Sequence, residues 1–111
     1  MAMGEFRYWE ECTQIKALRR AGQEDQAMAS LMRCIEEIEG RRDVPPPWFF
    51  EQAAIILRKS KDPRGEMTVL ERYAAAAERA GEQPMGHLVK RLNAARLATR
   101  IASTQGVEGH K

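Results

Sequence analysis

Residues 18–28 read LRRAGQEDQAM, and residues 57–67 read LRKSKDPRGEM. Each stretch opens on Leu followed by two cations and closes on Met, and the second lies 39 residues after the first. Extending that shift without gaps sets Trp9 on Trp48, Leu31 on Leu70, Arg33 on Arg72 and Glu39 on Glu78. The matches run from one apolar pattern, across a turn, into a second. What recurs is therefore a whole helix–turn–helix. One such hairpin cannot bury its apolar face alone, so two copies are expected to stack.

Apolar spacing supplies the elements. In residues 6–22, Tyr8, Cys12, Ile15 and Leu18 recur at steps of three and four, which places them on one helical face. Gly22 ends this helix, with Arg19 and Arg20 where cations oppose the negative end of the helix dipole. A second helix over 23–40 carries Ala27, Met28, Leu31, Cys34, Ile35 and Ile38 as its stripe. Pro45, Pro46 and Pro47 cannot lie inside a helix, and the last of them suits a first helical position. The third helix, 47–62, is apolar nearly all round and is expected to be central. A fourth runs over 63–81, with Met67, Leu70, Tyr73, Ala74 and Ala77 inward. The fifth runs from about Pro84 to Ser103, with Met85, Leu88, Leu92, Ala95, Thr99 and Ala102 on one side, and the tail 104–111 is expected to fray. The fold class is all-α, read as one domain over 1–111. It comprises a hairpin over about 6–40, a second over about 46–81, and a capping helix over about 84–103.

The segment LRRAGQEDQAMASLMRCIEEIE resembles the tetratricopeptide repeat family. That family orders a large apolar residue, a turn glycine, an alanine five residues on, then a bulky and a small residue. Leu18, Gly22, Ala27, Leu31 and Cys34 follow that order. In the second copy Leu57, Leu70 and Tyr73 fit, while Lys61 replaces the glycine and Glu66 the alanine. The segment AAIILRKSKDPRGEMTVLERY also resembles stretches of bacterial tetratricopeptide-like proteins of undefined role. The period of 39 exceeds the family's usual ~34, a difference the proline connector accounts for. The resemblance implies a protein-recognition scaffold whose first helices line a concave face.

The chain has 111 residues, a net charge of +2 and 43% apolar residues, which bounds it to one folded domain. The charge is too small to imply nucleic-acid binding by itself. Nothing in the first dozen residues reads as a signal peptide, and no apolar run approaches a membrane span, so a cytoplasmic protein is expected. Abundant arginine and alanine are the usage of a GC-rich bacterial or phage source. Cys12 and Cys34 match no zinc spacing and read as reduced thiols, though a bridge is possible if their helices pack.

No catalytic, metal or cofactor site is expected. His87 stands alone near a helix start, and Ser30 and Ser60 have no histidine and carboxylate beside them. Charge is unevenly distributed: the first, third and fifth helices are basic and the second is acidic. Carried over from the resemblance, the concave face presents Trp9, Lys16, Arg19 and Arg20 beside Trp48, Arg58 and Lys59. Such a cationic wall with aromatics would take an acidic peptide or protein partner. The same cations could instead meet nucleic-acid phosphates. Equally, they could only complement helix dipoles, with both tryptophans in the core. Three structural expectations follow. Leu18, Leu57, Leu31 and Leu70 are buried, and Arg19, Arg20, Arg58 and Lys59 share one surface. Leu97 and Ile101 form an outward strip on the fifth helix, the basis for a weak homodimer.

Overall fold

The computed structural model describes residues 7–108, with side chains as far as Ala102. Phe6 and the end of the tail, 109–111, lie outside the described residues. Five helices follow one another: α1 (Tyr8–Arg20), α2 (Glu24–Gly40), α3 (Pro47–Lys59), α4 (Pro63–Arg79) and α5 (Gly86–Glu108). The fold is all-α, with no strand among the described residues. The shift of 39 holds in three dimensions: it carries both ends of α1 onto those of α3, and both ends of α2 onto those of α4.

The two hairpin turns share one hydrogen-bond pattern. Gly22 N–H donates to the Arg19 carbonyl and Gln23 N–H to that of Leu18, which is a Schellman closure of α1. In the second hairpin Lys61 N–H donates to Arg58 and Asp62 N–H to Leu57. The closing residue is left-handed in both, with φ of 76° at Gly22 and 61° at Lys61. Lys61 thus fills the glycine position by accepting a conformation that a side chain disfavours. Each turn folds its helices back antiparallel, and α2 packs on α3 to stack the hairpins.

Side-chain contacts sort the helices into two layers. Tyr8 meets Phe49 at 5.6 Å between ring centres, and Lys16 Nζ lies 5.8 Å from the Trp48 ring, so α1 and α3 are neighbours. Glu51 and His87, 3.3 Å apart, join α3 to α5. On the opposite layer, Arg72 of α4 grips Glu39 of α2 with two bonds, 2.8 and 2.7 Å. The molecule is 21 Å thick, which is two helix diameters of about 10–12 Å each.

The core lies between the layers. Ile15, Leu31, Ile35, Phe49, Phe50, Leu70 and Leu88 are fully enclosed. Of the four matched leucines, Leu31 and Leu70 are buried as expected, but Leu18 and Leu57 are only half-buried. They sit in the last turns of α1 and α3, where the following helix has only just begun and covers one side.

The fifth helix departs from the sequence reading at both ends. It starts at Gly86, leaving Met85 outside and 46% exposed. It then continues to Glu108, so most of the expected frayed tail is helical. Ala102 is exposed because α5 there reaches the N-terminal end of α4, its support. Gly86 lies 39 residues after Pro47, and Pro84 lies 39 after Pro45. The buried Leu88, Leu92 and Ala95 of α5 repeat the buried Phe49, Ala53 and Ile56 of α3. So α5 packs on the second hairpin as α3 packs on the first. The ends of the stack carry small or polar residues for the most part, with Val89 exposed on α5 at the place of Phe50. Glu10, Gln14 and Ala17 stand exposed on α1 at the places of Phe49, Ala53 and Ile56. Asn93 and Arg96 stand exposed on α5 at those of Ala54 and Leu57.

Candidate functional site

The layer of α1, α3 and α5 carries the sequence-derived site residues. Positions 9, 48 and 87 are Trp, Trp and His; 19, 58 and 97 are Arg, Arg and Leu; 20, 59 and 98 are Arg, Lys and Ala. Trp9 is 70% exposed and so is not a core residue. Trp48 is half-buried, its ring edge-on to Phe49 at 5.1 Å with Lys16 over it. A cation held over an indole face is attracted by the ring's quadrupole.

Two of the cations on this layer are neutralised in part. Glu24, in the first turn of α2, reaches Arg19 at 3.6 Å and Lys59 at 3.2 Å. Arg19 also donates to the Gln52 amide oxygen. One carboxylate thus ties the end of α1 to the end of α3 and cancels one of two charges. Arg19 and Lys59 therefore do share a surface, but as a bonded cluster rather than as open cations. Arg20 and Arg58 are exposed, and their side chains make no ion pair or hydrogen bond among the described residues. Leu97 and Ile101 are 52% and 47% exposed, as the helical spacing required.

Sequence reasoning missed a second feature of this face. Glu66 takes the place of Ala27 and is only 3% exposed. Its carboxylate accepts from Arg91 Nη2 at 2.6 Å, so the buried charge is met by α5. Shifted by 39, the partner of position 91 is Gln52, which serves Arg19 in the first hairpin. The one local signal was a carboxylate where a small residue was expected. Between the α3–α4 turn and α5 lies an open notch of about 320 Å³, lined by Arg58, Lys61, Asp62, Glu66, Arg91 and three alanines of α5.

Glu11 of α1 lies 3.7 Å from Arg33, and Glu39 is clamped by Arg72. The hydrogen bond from Arg72 holds the Glu39 carboxyl below its ordinary pKa. Burial, followed by the nearby Glu11, pushes the Cys34 thiol up to about 12, and burial also raises Cys12. Both thiols are free, and the upward shifts leave them less thiolate character than an ordinary cysteine. No group of three or more metal-ligating side chains occurs among the described residues, and no helix there is long and apolar enough to cross a membrane.

A scan against protein-family models, a search of curated proteins and a search of solved structures each find no match to this chain.

Proposed function

We propose that this protein is a small, non-enzymatic, cytoplasmic interaction module of the tetratricopeptide-repeat type, an adaptor or regulator. Its α1–α3–α5 face binds an acidic peptide or the acidic surface of a partner. The supporting observation is the exposure of Trp9 together with the unpaired Arg20 and Arg58 on the same layer. An exposed indole and unpaired guanidinium groups carried on one layer are side chains enriched at interfaces. Lys16 on Trp48 adds a cation already desolvated on one side. The apolar strip of Leu97 and Ile101 supplies a contact of the other kind.

The chain's two tryptophans, Trp9 and Trp48, both belong to this layer, so intrinsic fluorescence reports on it directly. An N-acetylated, C-amidated helical peptide with Glu and Leu three and four residues apart should shift the emission saturably. Arg20→Glu should weaken its binding by about tenfold, the loss of one charge-assisted contact. No saturable shift with any acidic peptide of this type contradicts the reading. Nucleic-acid binding through the same cations would instead show affinity falling steeply with salt. Glu24 and Glu51 within the face oppose that alternative.

A further inference from the structure

The two places where a first helix meets its successor differ in what faces the arginine. Between α1 and α3, Arg19 is enclosed: its guanidinium faces the Glu24 carboxylate at 3.6 Å, and its side chain is 22% exposed. Moving 39 residues along, Arg58 stands where Arg19 stood, but position 63 is proline where position 24 is glutamate. Ala98 likewise replaces Lys59. The carboxylate is gone and the space beside it is open as the 320 Å³ notch.

The acids that do line the notch are already committed. Glu66 is held by Arg91 at 2.6 Å. Asp62 caps α4, accepting from Gly65 N–H at 2.9 Å. With Arg58, Lys61 and Arg91 against Asp62 and Glu66, the lining carries one net positive charge, and Arg58 has no acid of its own. The opposite wall is apolar, formed by Ala94, Ala95 and Ala98.

We infer that the notch is a pocket for a side-chain carboxylate of a partner segment, which meets Arg58 as Glu24 meets Arg19. An apolar residue of the same segment lies along Ala94 and Ala98. This rests on the acidic-peptide reading above and deepens it. It assigns the acid to one arginine, and it specifies a glutamate or aspartate side chain rather than a chain terminus, because the group already seated in the equivalent place is the side chain of Glu24.

The test uses the full chain and two probes, N-acetylglutamic acid α-amide and the amidated Glu/Leu peptide. NMR of the arginine side-chain Nε–Hε groups should show Arg58 shifting saturably with the first probe and not with N-acetylglutaminamide. Arg58→Gln should reduce peptide affinity by about tenfold. Pro63→Glu restores the missing internal carboxylate at a helix start, where an acid is favoured, and should block both probes while leaving the helical circular dichroism intact. Unchanged binding in Pro63→Glu, or no shift at Arg58, overturns the inference. If the peptide still moves tryptophan emission while Arg58→Gln and Pro63→Glu leave its affinity unchanged, the notch assignment falls and the broader face reading stands. If the small probe alone shifts Arg58, the notch stands and the broader reading falls. Self-association of the wild type that Pro63→Glu abolishes would name a second copy as occupant and overturn the assignment to a partner.

Discussion

At the scale of single residues, the left-handed turn positions and the carboxylates of Glu39 and Glu66 carry most of what is testable. Lys61 adopts φ 61° in a turn whose counterpart uses Gly22 at φ 76°. Relieving that conformation should make Lys61→Gly more stable by about 1 kcal/mol, and Gly22→Ala less stable by a similar amount, both read from urea midpoints. Glu39 answers to pH. Its folded-state carboxyl is held below the ordinary value by Arg72, so the unfolded chain binds that proton more readily. The pair's contribution is complete above the unfolded pKa and is lost as pH falls through the folded one. Stability measured downward from neutral pH should therefore fall less steeply in Glu39→Gln than in the wild type. Glu66 and Arg91 should be unequal. Removing Arg91 strands a buried carboxylate and should cost about 2–3 kcal/mol, while Glu66→Ala leaves a part-exposed arginine that water can serve and should cost less.

At the scale of helices, burial should order the cost of shortening the matched leucines. Leu31→Ala and Leu70→Ala empty enclosed sites and should lose about 2–5 kcal/mol. Leu18→Ala and Leu57→Ala, at half-buried turn ends, should lose about 1–2 kcal/mol. Denaturation of the four variants checks the ranking. The hairpins were legible in the sequence because their apolar faces and turn positions kept residue identity, at Leu18 and Leu57, Leu31 and Leu70, Met28 and Met67. The place of α5 in the same register was not legible. His87, Leu88 and Val89 share no identity with Trp48, Phe49 and Phe50, and only burial and the pair Pro45 and Pro84 reveal the spacing. Glu24 was missed for a related reason. It belongs to the outer layer by helix, but a first-turn residue lies at the hairpin's bend and can reach Arg19 and Lys59 on the other layer. The Glu66–Arg91 bond spans 25 residues and leaves no local pattern.

At the scale of the whole molecule, the layered stack gathers the exposed indole and the unpaired arginines on one face. The layer of α2 and α4 is tied by the Glu39–Arg72 clamp, while that of α1, α3 and α5 keeps Trp9, Arg20, Arg58, Leu97 and Ile101 exposed. The ends of the stack carry Glu10 and Gln14 on α1 and Asn93 and Arg96 on α5, with Val89 exposed beside the latter pair. The strip of Leu97 and Ile101 is the surface expected to self-associate. A weak dimer through them should appear by sedimentation only at high micromolar concentration and vanish in Leu97→Glu. It should also compete with peptide, since Leu97 serves both. The central claim, that the three-helix face is the recognition surface, is tested most directly by titrating the amidated Glu/Leu peptide into isotope-labelled protein and mapping the amide shifts. The account predicts shifts on α1, α3 and α5, centred on Arg20, Trp48, Arg58 and Leu97, with α2 and α4 nearly silent beyond their first turns; shifts gathered on the outer layer, or none at peptide saturation, would contradict it.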